Sequence, residues 1–277
     1  MNVDPLSQDP EPDLEYPATM APVTFESGGE KIIGVILEAQ GKGPHPVIVL
    51  LHGFPGNEKN YDLAHAFRRG GSNVLIFHYR GSWGSQGSFS FTHVLEDTCS
   101  ALRFVRSKSS CELYRINPRK IALVGHSMGG FAALMTAAKD LDIRLIVSVA
   151  GVNMGYFIEN ILGNNHAVEV ATRFFEESLP PLRGTSPEKL MQEAVSNAES
   201  WNVLKYTRTL CDRSLLLIGG SRDEIASIEI HHQPLVQALQ NENARDLCDI
   251  VLDADHSFSD KRITLTRKIL SWLEYRW

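Results

Sequence analysis

The chain uses little cysteine. Its 277 residues hold four, Cys99, Cys111, Cys211 and Cys248. None forms a CxxC pair and none stands at zinc-ligand spacing, which argues against a redox motif, a zinc module or a disulfide-stapled scaffold. Reduced structural thiols are the expectation, with pairing of two of them across the fold as the alternative, and no metal is expected. Long apolar runs are missing too: no stretch approaches the ~18 residues that span a membrane. Positive charge is not in excess. Lys and Arg number 27 against 33 acids, for a formal net charge of -6, whereas a nucleic acid or an anionic membrane would require a basic patch. The opening MNVDPLSQDPEPDLEYP carries five acids and four prolines and shows no basic, apolar leader pattern. It reads as a flexible arm over residues 1–21, disordered or loosely draped, with a partner-binding tail as the minor alternative. Cytoplasmic is the default expectation for location.

What is present suits a globular domain with a sizeable core: 43% hydrophobic residues against 22% charged. Residues 23–27 and 32–39 are two strand-like runs joined by a GGE turn, an opening hairpin. PVIVLLHG at 46–53 is a short continuous apolar run of the kind found in central parallel strands, buried on both faces. Similar runs recur at 73–77, 120–124, 145–150, 215–218 and 250–252. Helical spacing lies between them at 60–69, 91–108, 131–138 and 228–239, and again at 262–273. Strands alternating with helices argue for an α/β fold with a doubly wound parallel sheet. From 151 to 208 the rhythm breaks. Helical stretches at 156–162, 167–179 and 187–198 surround the breaker cluster SLPPLRGTSP, and the segment reads as a helical cap inserted into a core of 22–150 and 209–277.

The stretch IALVGHSMGG carries the chemistry. It reads strand, glycine, serine, glycine pair, helix, the G-x-S-x-G nucleophile elbow. Gly125 and Gly129 leave room where side chains would collide, and Ser127 is expected to project above the sheet at a helix N-terminus, where developing negative charge is favoured. A serine hydroxyl needs a base. Of ten histidines, His256 in LDADHSF follows the last strand-like run at the same sheet edge, where open α/β sheets bind ligands. His231 and His232 fall in an expected helix and read as surface residues, His166 is a weaker rival, and His126 should point away from its neighbour Ser127. The acid that orients the base is expected at Asp223, in LLLIGGSRDEIAS, giving the chain order serine, aspartate, histidine. Glu224 is the rival there, while Asp253 and Asp255 read as turn residues.

Two backbone N–H groups should meet the oxyanion. Met128 follows the nucleophile, and Phe54 follows the His52–Gly53 pair in LLHGFPGN, with His52 ordering that loop. Tyr156, Phe157, Phe174 and Phe175 of the cap are candidates for an apolar substrate pocket, or for packing the cap onto the body. The glycine-rich HYRGSWGSQGSF matches neither phosphate-binding fingerprint. It reads as a flexible loop bordering the site, with Arg80 paired to a carboxylate.

Taken in order, HGFPGN, HYRGSWGSQGS, GHSMGG, GGSRDE and DADHSF resemble the α/β-hydrolase superfamily from about residue 23 to the end. More narrowly they resemble the feruloyl/cinnamoyl-esterase-like carboxylesterases and related serine peptidase-like hydrolases. That resemblance implies an eight-stranded, mostly parallel sheet and hydrolysis of esters or amides with no cofactor. His78 stands where many such relatives carry an acid or asparagine, and the cap matches no named subgroup. A serine carboxylesterase acting on a small-molecule ester is the leading expectation, with homodimer formation open. A peptidase or amidase is the alternative, with cap acids Glu159, Glu169, Glu176 and Glu177 as amine binders or as a solvated face. A thioesterase or acyl-lipid hydrolase, or a receptor built on the same fold, follows behind.

Overall fold

A computed structural model of the chain describes residues 4–277. Eight strands form one sheet in the order β1-β2-β4-β3-β5-β6-β7-β8: β1 (Thr19–Ser27), β2 (Glu30–Glu38), β3 (His45–Leu51), β4 (Asn73–Phe77), β5 (Ile116–His126), β6 (Leu145–Val149), β7 (Ser214–Gly220) and β8 (Asp246–Leu252). β2 runs antiparallel to both neighbours, and β3 to β8 are parallel. The apolar runs explain the order. The five residues of β4 and of β6 are all buried, as central strands covered on both faces must be. β8, at the edge, has no fully buried residue and mixes half-buried with exposed positions.

Helices cover both faces: α1 (Tyr61–Arg69), α2 (Phe91–Arg106), α3 (Lys108–Leu113), α4 (Met128–Lys139), α5 (Met154–Ile161), α6 (Asn165–Glu177), α7 (Pro187–Asn197), α8 (Thr207–Leu210), α9 (Gln233–Asn241) and α10 (Arg262–Glu274). One hydrophobic cluster joins Val49, Leu123 and Ile146 to α2 and α4; the other joins Ile48, Val124 and Val147 to α1 and α10. Side chains fix where helices begin. Ser90 accepts from His93 N–H at 3.1 Å, Asn164 from Ala167 N–H at 3.1 Å, and Ser186, followed by Pro187, from Lys189 N–H at 3.3 Å. Among the described residues no helix is long and apolar enough to cross a membrane, and all four cysteines are free.

Three expectations change in detail. The arm expected to be flexible over 1–21 is laid along the body from residue 4: Arg69 Nε donates to Pro5 O at 2.7 Å, Asp4 meets Arg267 at 3.2 Å, and Gly41 N–H donates to Tyr16 O at 2.8 Å. It becomes β1 at Thr19, and its first three residues lie outside the described residues. The helix expected over 228–239 begins as a π turn, Ile228–His232, before α9. The glycine-rich loop is pinned rather than flexible. Arg80 Nε donates to Asp97 Oδ1 and Arg80 N–H to Asp97 Oδ2, both at 2.7 Å.

That loop also anchors the insertion between β6 and β7. Arg183 N–H donates to Gly81 O at 2.8 Å, and Phe89 N–H to Arg183 O at 2.9 Å. The Glu193 carboxylate of α7 accepts the Phe91 and Thr92 N–H groups at the start of α2, both at 2.9 Å. Asp97 is fully buried and Arg80 nearly so, so removing the carboxylate leaves the buried guanidinium with only the half-exposed Glu96 as its ionic partner. Asp97→Ala is expected to lower unfolding free energy by about 3 kcal/mol in urea denaturation; a loss near zero would show that the pair does not hold the loop.

Candidate active site

β5 ends at His126, α4 begins at Met128, and Ser127 alone makes the turn at φ 56° and ψ -118°. Steric closeness forces this geometry. A Cβ on Gly125 would stand 2.0 Å from Gly129 O, and one on Gly129 would stand 2.1 Å from Leu51 O. Only hydrogen atoms let α4 sit so close behind β3 and β5. Ser127 is 6% exposed and lines a cavity of about 660 Å³ under the insertion.

His256, in the loop after β8, lines the same cavity. Its Nδ1 lies 2.8 Å from Asp223 Oδ2, while Asp223 Oδ1 accepts the N–H groups of Ile225 at 2.9 Å and Ala226 at 2.7 Å. Burial pushes the Asp223 carboxyl up. The hydrogen bond and charge of His256, with the two backbone donors, outweigh this and hold it below the ordinary carboxylate value. An ionised Asp223 accepts a hydrogen bond from His256 Nδ1–H, which leaves Nε2 as the ring nitrogen available to take a proton. No hydrogen bond joins Ser127 Oγ to His256 among the described residues.

Phe54 and Met128 both line the cavity. Their backbone N–H groups donate to no protein acceptor among the described residues, so two free donors flank Ser127. Gly53 comes so close that a Cβ there would stand 3.0 Å from Ser127 Cβ. Glu224, the rival acid, is exposed. Asp253 pairs with Arg222 at 2.7 Å, and Asp255 accepts Ser259 N–H at 2.8 Å, both as turn residues.

The cap aromatics divide. Phe157, Phe174 and Phe175 line the cavity; Tyr156 does not. Helix phase gives the reason. Met154, Phe157, Ile158 and Ile161 share the face that lines the cavity, and Tyr156 lies one residue, about 100°, off it. The acids Glu159, Glu169, Glu176 and Glu177 are exposed and do not line it, and neither does His166. No residue of the loop 78–89 lines it either.

Three histidines depart from expectation. His126 does not turn away from the site: it lines the cavity, and its ring centroid lies 4.9 Å from that of His256. Its Nε2–H donates to His256 O at 2.8 Å, which fixes the loop carrying His256. His231 and His232 are buried rather than on the surface, because the π turn presses both against neighbours. His231 Nδ1 accepts Asn153 N–H at 3.0 Å, and His232 Nε2 lies 2.6 Å from Asp249 of β8. The double histidine looks polar in sequence, and its partners are 78 and 17 residues away. His52 orders its loop as expected, with Nδ1 2.8 Å from Gly53 O.

A strand–turn–helix elbow, a histidine–carboxylate pair after the last two strands and a sheet of this order define an α/β-hydrolase architecture. The chain belongs to the alpha/beta hydrolase family, whose model matches residues 48–262. It is 36% identical over 217 residues to the uncharacterized protein YfhR of Escherichia coli O157:H7, covering 77% of this chain and 64% of YfhR. It is 28% identical over 130 residues to thiohydrolase apmlB of Arthrinium phaeospermum, covering 46% of this chain and 41% of that protein. The chain spans less than two thirds of the length of these curated relatives. An esterase of Pyrococcus furiosus superposes with a TM-score of 0.69 at 16% identity, covering 96% of this chain and 97% of that one. The esterase domain of a Rhodothermus marinus protein gives 0.64 at 21%, covering 93% and 98%. At such identities these two likenesses show the fold alone.

Burial holds four histidines neutral at pH 7. It pushes His52 down to about 3 and His78, His126 and His231 to about 4, from an ordinary 6.5. The unfolded chain therefore binds more protons between these values. Stability is complete above pH 6.5 and falls as pH drops toward 4, by about 1.4 kcal/mol per pH unit for each histidine that titrates. Urea midpoints at pH 7.5 and 5 should show a large drop, and equal midpoints would contradict the buried neutral state.

Proposed function

We propose that the chain is a serine carboxylesterase working through Ser127, His256 and Asp223. The observation that carries this reading is that an elbow serine, a histidine bonded to a buried carboxylate and two free backbone donors all meet at one apolar cavity. Ser127 Oγ attacks the ester carbonyl carbon and gives its proton to His256 Nε2. The carbonyl oxygen becomes an oxyanion and is held by the Phe54 and Met128 N–H groups. His256, kept in orientation by Asp223, passes the proton to the departing alcohol oxygen. Water then attacks the acyl-enzyme by the same route in reverse, releasing the acid and restoring Ser127. The scheme uses no cofactor. Phe157, Phe174 and Phe175 offer an apolar wall to the substrate, and the names of the esterase neighbours agree with the reaction.

A peptidase reading has one observation in its favour, since Glu58 and Glu224 line the cavity and could meet a substrate amine. The cap acids give it nothing, because none reaches the cavity.

A fluorophosphonate probe followed by peptide mapping should label Ser127, and label on another residue or none at all would refute the assignment. Ser127→Ala should lower kcat/KM for p-nitrophenyl butyrate on the order of 10⁴–10⁶-fold. In a direct comparison, p-nitrophenyl esters should be turned over far faster than aminoacyl anilides, and the opposite order would favour the peptidase.

A further inference from the structure

His231 plays no part in the proton path, yet it sits inside the cavity wall. Its Nδ1 accepts the backbone N–H of Asn153 at 3.0 Å. A ring nitrogen that accepts carries no proton, so in the neutral ring the proton is on Nε2. Burial keeps the ring neutral at pH 7, with its pKa pushed down to about 4. Among the described residues Nε2 donates to no protein group. The ring is 5% exposed and shares its wall with Phe157, 5.7 Å away between centroids, and with Met154, Ile158 and Ile225. That leaves Nε2–H as an unpartnered donor on a residue that lines the cavity, where a ligand oxygen can accept its hydrogen bond.

The position of His231 says which part of a substrate it meets. Along the sheet Phe54 follows β3 and Ser127 follows β5, whereas His231 follows β7 and bonds Asn153 after β6, on the side of Ser127 that carries Asp223 and His256. In the proposed reaction the oxyanion turns toward Phe54 and Met128, and the leaving oxygen turns toward His256 to collect its proton. His231 therefore flanks the leaving group. The lining has Glu58 and Glu224 but no lysine or arginine, so an anionic leaving group meets like charge.

We propose that His231 Nε2–H donates a hydrogen bond to an uncharged oxygen of the substrate's alcohol portion. The favoured substrates are then esters of alcohols that carry a further hydroxyl, ether or carbonyl oxygen, rather than esters of plain alkanols. This rests on the serine hydrolase reading above.

Two esters of the same size isolate the effect, 2-methoxyethyl butyrate and n-butyl butyrate, which differ by one oxygen in place of a methylene. The quantity read is the ratio of their kcat/KM values, from which intrinsic reactivity cancels when variants are compared. In His231→Asn the amide oxygen can still accept Asn153 N–H, but the donor at the Nε2 position is gone. The ratio should fall roughly threefold to tenfold. In His231→Gln, whose amide NH₂ reaches that position, most of it should return. A ratio unchanged in His231→Asn would overturn the proposal. Nitrogen-15 histidine NMR on the Ser127→Ala protein supplies a readout that needs neither turnover nor a His231 variant. The His231 Nε2–H signal should move downfield with the ether ester and stay put with the butyl ester, and identical responses would overturn the proposal. A shift without hydrolysis by the wild-type protein would sink the esterase reading and leave this donor site standing. Hydrolysis without a shift would do the reverse.

Discussion

Ser127 holds a backbone conformation that L-residues avoid, at φ 56° and ψ -118°, and the surrounding packing keeps it there. Such a residue carries about 1–3 kcal/mol of strain. The contacts that over-determine it are backbone to backbone. β3 and β5 pair in register from Val47–Ile121 to Leu51–Gly125, and the first turn of α4 lies against the end of both strands. Ser127 N–H donates to Val149 O of β6 at 2.9 Å, so a third strand fixes the elbow from the other side. The hydroxyl is thus placed by the sheet itself rather than by a mobile loop, and the free N–H of Met128 follows from the same turn.

His256, the proposed base, is held by a different device. Nothing in β8 aims His256; its loop is clamped from two sides. Asp223, after β7, takes the ring nitrogen, and His126, at the end of β5, takes the backbone carbonyl. Three strands therefore meet through two hydrogen bonds of 2.8 Å each. The neutrality of His126 belongs to this design. A second charged imidazole 4.9 Å from the ring of His256 would oppose the positive charge that His256 acquires in the proposed reaction.

Much of this was legible in the sequence for simple physical reasons. Short apolar runs bounded by turn residues suit buried strands, so β3 to β7 could be placed to within a few residues. Glycines at 125 and 129 mark a close approach, and with a strand-like run before them and an apolar helix after them the elbow could be read. Asp223 and His256 follow strand-like runs, which puts them at the carboxyl edge without any knowledge of pairing. What escaped was whatever depends on long-range contact or on helix phase. His126 binds a carbonyl 130 residues away, and a pair of histidines in an apparent helix gives no sign that a π turn buries them. Tyr156 was within reach of sequence reasoning, since Met154, Ile158 and Ile161 already define a face that excludes it. Of the two readings of the arm, disordered or draped, composition could not choose, because the contacts of Asp4 and Pro5 with Arg267 and Arg69 come from distant helices.

The central claim is that one turn, one histidine and two backbone donors converge on a single reacting carbon. A crystal structure of the protein carrying a covalently bound alkyl phosphonate tests it most directly. The account requires phosphorus on Ser127 Oγ, one phosphonyl oxygen within about 3 Å of both the Phe54 and Met128 nitrogens, and His256 Nε2 within hydrogen-bond reach of Ser127 Oγ or of the remaining ester oxygen. A phosphonyl oxygen turned away from those two nitrogens, or an imidazole left out of reach in the adduct, would contradict it.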